Sequence, residues 1–505
     1  MRVISAQEAA ALVQDHWTVV PGGFGSCGHP DVLTRALGER FARDGSPRDL
    51  TLLFAAGAGD KAGRGLDALA RAGLVRRAIG GFWGLAPSLC KLVRENRIEA
   101  HNWPQGVISQ MFRATASGAP GLLSRTGLET FVDPDESGGC MNSITKVPLV
   151  KKMRIGDEPF LFFPRLPIDC ALIRGTRADK NGNISTEREV SFTDSLSQAT
   201  AARNSGGIVI AQVEELVENG DIQPHAVRVP GVLVDYVVVA EPTDHPQTYG
   251  TQFDPKFVSP GPATPSPRKL TPQHLVVARR AAEELRTRPG ALVNLGIGMP
   301  AAIGQIAAEN CLTDFTLTVE SGQIGGIPAA DLSFGASTHP QAVLEQSALF
   351  DLYDGGGLDI AFLGFAEADS SGNVNVSRFA DRMPGAGGFI NISQSARSVV
   401  FCGSFTTDGL RIEVGEGRLD ILSEGRTSKF VPQVSHVTFN GQTAARRGQS
   451  VTYVTERAVF SLVDGALHLI EVAPGVDVDE QIIPFMSANL IISPNCREMD
   501  TRHFI

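Results

Sequence analysis

The order of features along residues 168–210 is repeated along residues 358–401, and this repetition restricts the chain more than any other property of its sequence. In the first stretch Ile168-Asp169-Cys170-Ala171-Leu172-Ile173 runs into Ala178-Asp179-Lys180-Asn181-Gly182-Asn183. In the second, Leu358-Asp359-Ile360-Ala361-Phe362-Leu363 runs into Ala368-Asp369-Ser370-Ser371-Gly372-Asn373. An Ala-Arg pair and a β-rich run follow each: Ala202-Arg203 before Ile208-Val209-Ile210, and Ala396-Arg397 before Val399-Val400-Phe401. Asp-x-x-Gly-Asn is good turn chemistry in any α/β protein, so one match alone would mean little. Matched features that keep their order over several elements point to two copies of one fold.

A break of the right kind lies between the copies. From 255 to 272 the chain carries Pro255, Pro260, Pro262, Pro265, Pro267 and Pro272 among Ser, Thr, Gly and basic residues, an extended, semi-rigid composition that cannot be helical. The organisation expected is an N-terminal domain at 1–254, a Pro-rich linker at 255–272 and a C-terminal domain at 273–505. Both halves alternate short apolar runs with amphipathic stretches: Trp17-Thr18-Val19-Val20 before a helix at 31–43, and Ala291-Leu292-Val293-Asn294 before a helix at 301–309. Strand then helix, repeated, gives a parallel sheet covered by helices. The fold class expected is therefore α/β, as two tandem homologous open domains with largely parallel sheets. A ligand site is expected in the cleft between them.

Composition removes several classes of function. A net charge of −10 without any Lys/Arg run offers no general attraction to nucleic acid or to an anionic membrane. No uninterrupted apolar stretch is long enough to span a bilayer, and Met1-Arg2-Val3-Ile4-Ser5-Ala6-Gln7-Glu8 is not the start of a signal peptide. Seven widely spaced Cys with no CxxC pair fit a reduced, cytoplasmic protein without structural zinc or a disulfide framework.

The 54 glycines cluster where chemistry could sit. Gly22-Gly23-Phe24-Gly25-Ser26-Cys27-Gly28 contains a literal GxGxxG, but the next strand, 50–54, has no acid at its end until Asp60, so a dinucleotide site is not supported. The cluster reads instead as a tight turn where backbone meets a ligand or the other domain. Asn294-Leu295-Gly296-Ile297-Gly298-Met299-Pro300 holds the corresponding place in the second half. It is either an oxyanion-stabilising loop at a helix start or a plain strand-to-helix turn, and these residues alone do not choose. Asp381-Arg382-Met383-Pro384-Gly385-Ala386-Gly387-Gly388-Phe389 can press flat on a substrate or lie free in solvent. Glu320 ends the β-rich run Phe315-Thr316-Leu317-Thr318-Val319, the strand end at which α/β sheets bind ligands. A solvated carboxylate is the ordinary alternative there. The nearly uncharged continuation Ser321-Gly322-Gln323-Ile324-Gly325-Gly326-Ile327-Pro328 shifts the balance toward chemistry. HExxH, GxSxG and GxxxxGK[ST] are absent, and the ten His show no metal-ligand spacing.

These segments resemble the class I CoA-transferases, and more closely their single-chain acetate/propionate branch. Residues 22–30 (GGFGSCGHP) resemble the N-terminal glycine signature and residues 319–328 (VESGQIGGIP) the active-site signature; residues 102–107, 130–134 and 387–391 also look like family segments. Many relatives carry Glu-Asn-Gly where this chain has Glu320-Ser321-Gly322, a serine variant similar to the propionate branch. The resemblance implies that Glu320 attacks an acyl-CoA and carries CoA as a glutamyl thioester, in ping-pong exchange between short carboxylic acids. It implies backbone N–H groups at Gly298 and Gly388 as oxyanion donors, and Gln105 as the group that orients the substrate carboxylate. Gly23, Phe24, Gly25, Met299, Gly385 and Gly387 would line the substrate and CoA site. Trp83 could form a pocket wall or simply core. No metal and no cofactor beyond CoA as substrate are implied, and a homodimer or homotetramer is expected. A 3-oxoacid CoA-transferase, an acyl-CoA hydrolase on the same scaffold and a non-enzymatic metabolite-binding protein are the alternatives.

Overall fold

The computed structural model describes residues 1–263, 269–486 and 490–505; residues 264–268 of the Pro-rich segment lie outside the described residues. By its contacts the chain divides into two compact units. One comprises Met1–Ala263, Val319–Asp351 and Met383–Asn391; the other comprises Thr264–Thr318, Leu352–Arg382 and Ile392–Ile505. The division is not a single cut at the linker, and the stretch with Glu320 groups with the N-terminal residues.

The first unit is built on eight strands: β1 (Arg2–Val3), β2 (Thr18–Pro21), β3 (Leu50–Ala56), β4 (Val75–Phe82), β5 (Glu99–Asn102), β6 (Cys170–Arg174), β7 (Ile208–Val213) and β8 (Tyr236–Val239). They lie in the order β1-β8-β7-β6-β2-β3-β4-β5, and every neighbouring pair is parallel. Successive strand residues serve two cores, the signature of a sheet covered on both faces. Val19, Leu52, Cys170 and Leu172 pack with α1 (Ala6–Leu12), α2 (Asp31–Asp44) and α3 (Pro87–Arg94). Val20, Leu53, Ala171 and Ile173 pack with α4 (Gln105–Ala116) and α5 (Ser195–Asn204). The helix ends follow local chemistry. Ser5 and Glu8 form a capping box at the start of α1, and Gly45, in the left-handed region at φ 66°, closes α2. Trp83 belongs to the core: it is fully buried, meets Phe54 edge-on at 5.0 Å, and donates its ring N–H to Gly80 O at 3.0 Å.

The second unit repeats the plan with β9 (Ala291–Leu295), β10 (Phe315–Val319), β11 (Ile360–Gly364), β12 (Ser398–Cys402) and β13 (Ser450–Val454), parallel in the order β10-β9-β11-β12-β13. An antiparallel pair, β14 (Ala458–Val463) and β15 (Ala466–Val472), extends it, and β16 (Ile491–Glu498) pairs parallel to β15. The helices α6 (Pro272–Arg286) and α7 (Ala302–Glu309) pack on its core through Val276, Val277, Ala281, Ile303 and Ile306.

The duplication extends to single hydrogen bonds. Asp179 Oδ1 accepts the N–H groups of Asn181 and Asn183, both at 2.9 Å, and Asn183 Oδ1 accepts Gly231 N–H at 2.9 Å. In the second unit Asp369 Oδ1 accepts Ser371 N–H at 3.0 Å and Asn373 N–H at 3.1 Å, and Asn373 Oδ1 accepts Gly441 N–H at 3.0 Å. Asp169 caps the N–H of Thr18 and Asp359 that of Leu292, at 2.7 and 2.9 Å. Each turn carboxylate also accepts the amide of its Asn, Asn183 or Asn373, and Asp369 accepts a third main-chain donor, Val434 N–H, at 3.2 Å. Asp179→Ala and Asp369→Ala are therefore each expected to destabilise the protein by about 2–4 kcal/mol. Chemical denaturation of the two variants checks this, and a shift below about 0.5 kcal/mol in either would show that its turn is held by something else.

Candidate active site

Glu320 stands one residue beyond β10 and is partly buried. Its position is set by what fixes its neighbours. Gly322 N–H donates to Val319 O at 2.9 Å, closing a turn around Glu320, and Leu344 N–H donates to Gly322 O at 2.8 Å. Gly322 has φ +125°, and a Cβ there would lie 2.1 Å from Leu344 O, so the turn demands glycine. Ser321 is fully buried, and its Oγ lies 2.7 Å from Gly335 O and also within hydrogen-bond reach of Gln323 Oε1. The Ser191 hydroxyl donates to Ser321 O, and the Gln323 amide donates to Val190 O. The residues that follow the carboxylate, Ser321 and Gln323, are thus tied to residues 190 and 191 and to Gly335.

The first glycine cluster supports that turn. Phe24 and Cys27 exchange main-chain hydrogen bonds of 2.8 Å, and a Cβ on Gly23, at φ +111°, would lie 2.9 Å from His29 Cα. Phe24 is buried in a small apolar cluster with Cys27, Ala56, Val190, Phe257 and Ala336, and its ring centroid is 5.7 Å from that of Phe334. A Cβ on Gly25 would meet Phe334 at 3.5 Å, and one on Gly335 would meet Phe24 and Cys27 at 2.9 Å. Gly335 also accepts the Ser321 hydroxyl, so it links the cluster to the turn of Glu320.

The third glycine segment is not a solvent loop. Trp83 N–H donates to Pro384 O at 2.7 Å, Gly387 N–H to Gly81 O at 2.9 Å, and Gln105 N–H to Gly387 O at 3.0 Å. Gly385 and Gly387 take φ +74° and +54°, and Gly388 is buried. Asn102, at the end of β5, donates its amide to Gly80 O and Gly81 O and accepts Ala386 N–H at 2.9 Å. This one side chain clamps the segment to the carboxyl end of β4. The sequence places Asn102 in a family segment without marking this role; its place just before Trp103-Pro104-Gln105, at a strand end, is the available signal.

Gln105 begins α4 and is buried. Its amide donates to Gln346 Oε1 at 3.3 Å, and Gln346 in turn donates to Ser109 Oγ at 2.7 Å and to Asp194 Oδ2 at 2.6 Å. The Ser109 hydroxyl donates to the other oxygen of Asp194 at 2.5 Å. Gln346 and Asp194 had no part in the sequence reading, because residues far apart in the chain meet here. Burial raises Asp194 from the usual carboxylate range to about 7, with Glu345 adding repulsion and the bonds from Ser109 and Gln346 opposing it. Folded Asp194 therefore keeps its proton where the unfolded chain has lost it, so wild-type stability falls as pH rises from about 4 to about 7 and levels off above. Asp194→Asn mimics the neutral form. Its melting temperature is expected to gain on the wild type across that window, and the difference between the two to stay constant above it. Equal pH slopes for the two proteins in thermal melts would contradict the assignment.

Gly298 and Met299 belong to the second unit, past the carboxyl end of β9. Gly298 is exposed at φ +80°, with no atom within 4 Å of a Cβ, and precedes the single helical turn Met299–Ala301. Met299 rests against the core of its own unit. Among the described residues, no cluster of His, Cys, Asp and Glu is arranged to hold a metal, and no helix is long and apolar enough to cross a membrane.

The coenzyme A transferase family profile matches residues 3–240. Over its whole length the chain is 42% identical to the acetate CoA-transferase YdiF of Escherichia coli K12, covering 95% of that protein. The chain belongs to the coenzyme A transferase family. This CoA-transferase is also 42% identical, across its full length, to the caffeate CoA-transferase of Acetobacterium woodii, covering 97% of that enzyme. A crystal structure of YdiF from E. coli O157:H7, a thioester complex with CoA, matches it with a TM-score of 0.93 at 41% identity, covering all of this chain and 96% of the other. The transferase thus belongs to the acetate branch of class I, and its α/β architecture is that of the branch.

Proposed function

We propose that the enzyme exchanges CoA between a short-chain acyl-CoA and a free acid such as acetate or propionate, through a glutamyl-CoA thioester on Glu320. The observation that carries this is the turn at Glu320: a partly buried carboxylate at a strand end, in a turn closed by the Gly322 N–H on Val319 O and with the following Ser321 bonded to Ser191 and Gly335. A nucleophile that must strike a thioester carbonyl in one geometry needs such support. The Glu320 carboxylate attacks the acyl carbonyl, the C–S bond breaks, and an acyl-glutamyl anhydride and CoA thiolate result. The thiolate then attacks the glutamyl carbonyl, releases the first acid and leaves CoA on Glu320; the second acid reverses both steps. Each addition passes through an oxyanion, for which the backbone N–H of Gly388 is a candidate donor. Gln105, whose amide bonds to Gln346, is the candidate to hold the substrate carboxylate. The relative named for acetate supports a small acid, and the relative named for caffeate makes an aromatic acid the competitor to assay beside it.

The test is exchange between propionyl-CoA and acetate, followed by chromatography of both CoA esters. Acetyl-CoA is expected to appear in step with propionyl-CoA loss, and loss without acetate should be about a hundredfold slower, because the thioester survives only where water is kept out. Equal loss with and without acetate would make the enzyme a hydrolase. The scheme uses no metal or redox group, so activity is expected to persist in EDTA. Light scattering should give a homodimer or homotetramer.

A further inference from the structure

Lys429 differs from the other buried cations of this protein. Arg280 in the second unit is held by Glu284 and Glu471, and Arg457 by Glu424 and Glu456. In the first unit, Arg174 is paired with Glu189. Lys429 is partly buried, and among the described residues its amine has no carboxylate or hydrogen-bond acceptor; Nζ lies 4.3 Å from the centroid of the Phe365 ring. The amine is closely seated, since a Cβ on Gly403 would fall 2.9 Å from it. Its main chain is fixed by Ala368 N–H, which donates to Lys429 O at 2.8 Å. Phe365 follows β11, and Gly403 and Phe405 follow β12, so the amine lies at the carboxyl end of the second unit's parallel strands, where α/β sheets meet their ligands. The acid whose charge acts on the amine, Glu456, is committed elsewhere: one oxygen accepts Phe405 N–H at 2.8 Å and the other accepts Arg457 at 2.8 Å.

We infer that Lys429 is a second acyl-accepting site, whose neutral amine attacks the thioester carbonyl of an acyl-CoA. The N–C bond forms, the C–S bond breaks, the amine proton passes to the CoA thiolate, and an N-acyl-lysine remains with free CoA. The acyl donor is the substrate class of the family, so no further reactant is needed. An amine without a counter-ion and largely removed from water is poorly compensated as ammonium, since the Phe365 ring face returns only part of the lost hydration, and it is available as the neutral nucleophile. Burial lowers its pKa to about 8, against a smaller opposing pull from Glu456, whose own charge is answered by Arg457. At pH 7 the neutral fraction is then far larger than that of an exposed lysine near its ordinary value.

The full-length enzyme is incubated with acetyl-CoA, without acceptor acid, at pH 6 to 9.5, and digested for peptide mass spectrometry. Lys429 is expected to gain a hydroxylamine-resistant acetyl group about tenfold or more faster at pH 7 than exposed Lys61 and Lys146, with the rate rising about tenfold per pH unit to a plateau above about 8. Acetylation no faster than at Lys61 and Lys146 would overturn the inference. So would its loss in Glu320→Gln, which would mean that the amine does not take the acyl group from acyl-CoA directly. The inference goes beyond the Glu320 reading and is separable from it, because the digest also reports CoA on Glu320: an unmodified Glu320 beside an acetylated Lys429 would sink only the former.

Discussion

Replacing Glu320 by glutamine is expected to lower kcat by about 10⁴-fold or more, the scale seen when a covalent nucleophile is removed from an otherwise intact site. The amide preserves size and much of the hydrogen bonding, so the loss isolates the carboxylate oxygen that the proposed mechanism bonds to the acyl carbon. The direct readout is mass. Wild-type enzyme treated with acyl-CoA and then borohydride should show CoA on Glu320 before reduction and an alcohol at that residue after it. Glu320→Asp keeps the charge but draws the oxygen back by one methylene. A displacement of about 1 Å costs about 10²-fold in a positioned reaction, so this variant should fall between wild type and Glu320→Gln. Full activity in Glu320→Gln, or an adduct on another carboxylate, would remove the mechanism.

What the sequence made legible, and what it did not, follows from the range over which each signal acts. The duplication could be read because strand, Asx turn and glycine are local: Asp179 and Asp369 each bind donors two and four residues ahead, and the motif carries its own hydrogen bonds. The parallel sheets followed from alternating strands and helices. Glu320 is singled out by its place at a strand end and by its signature. Its supports are not, because Ser191 and Gly335 reach the adjacent Ser321 from 130 and 14 residues away, and no spacing rule links them. Gln346 and Asp194 escaped for the same reason. The cut at the linker was a reading of composition, whereas contacts assign Val319–Asp351 and Met383–Asn391 to the unit of the N-terminal residues. A chain that returns to an earlier unit leaves no trace in proline content. Lys429 is the converse case: an amine is conspicuous only when the groups around it are known, and the sequence shows nothing unusual near it.

Gly322→Ala tests whether the turn, and not only the carboxylate, carries the chemistry. At φ +125° an alanine is strained by about 1–3 kcal/mol before any contact is considered. The Cβ would also sit 2.1 Å from Leu344 O, so either the turn or the strand at Ala342–Val343 must move. That strand pairs antiparallel with Gln323–Ile324, immediately after the turn, so relief on one side is transmitted to the other. The expected result is a stability loss of about 2–4 kcal/mol with a fall in kcat of about 10²–10³-fold, although Glu320 itself is untouched. Gly118→Ala supplies the control: its φ is +75°, no atom lies within 4 Å of the new Cβ, and it stands just past the end of α4. It should lose about 1 kcal/mol and keep its activity. Denaturation curves and the rate of glutamyl-CoA formation, measured side by side, separate the two effects. If Gly322→Ala loses stability but forms the adduct at more than about half the wild-type rate, then the hydrogen bonds of Ser321 and Gln323 are enough to aim the carboxylate and the glycine serves folding alone.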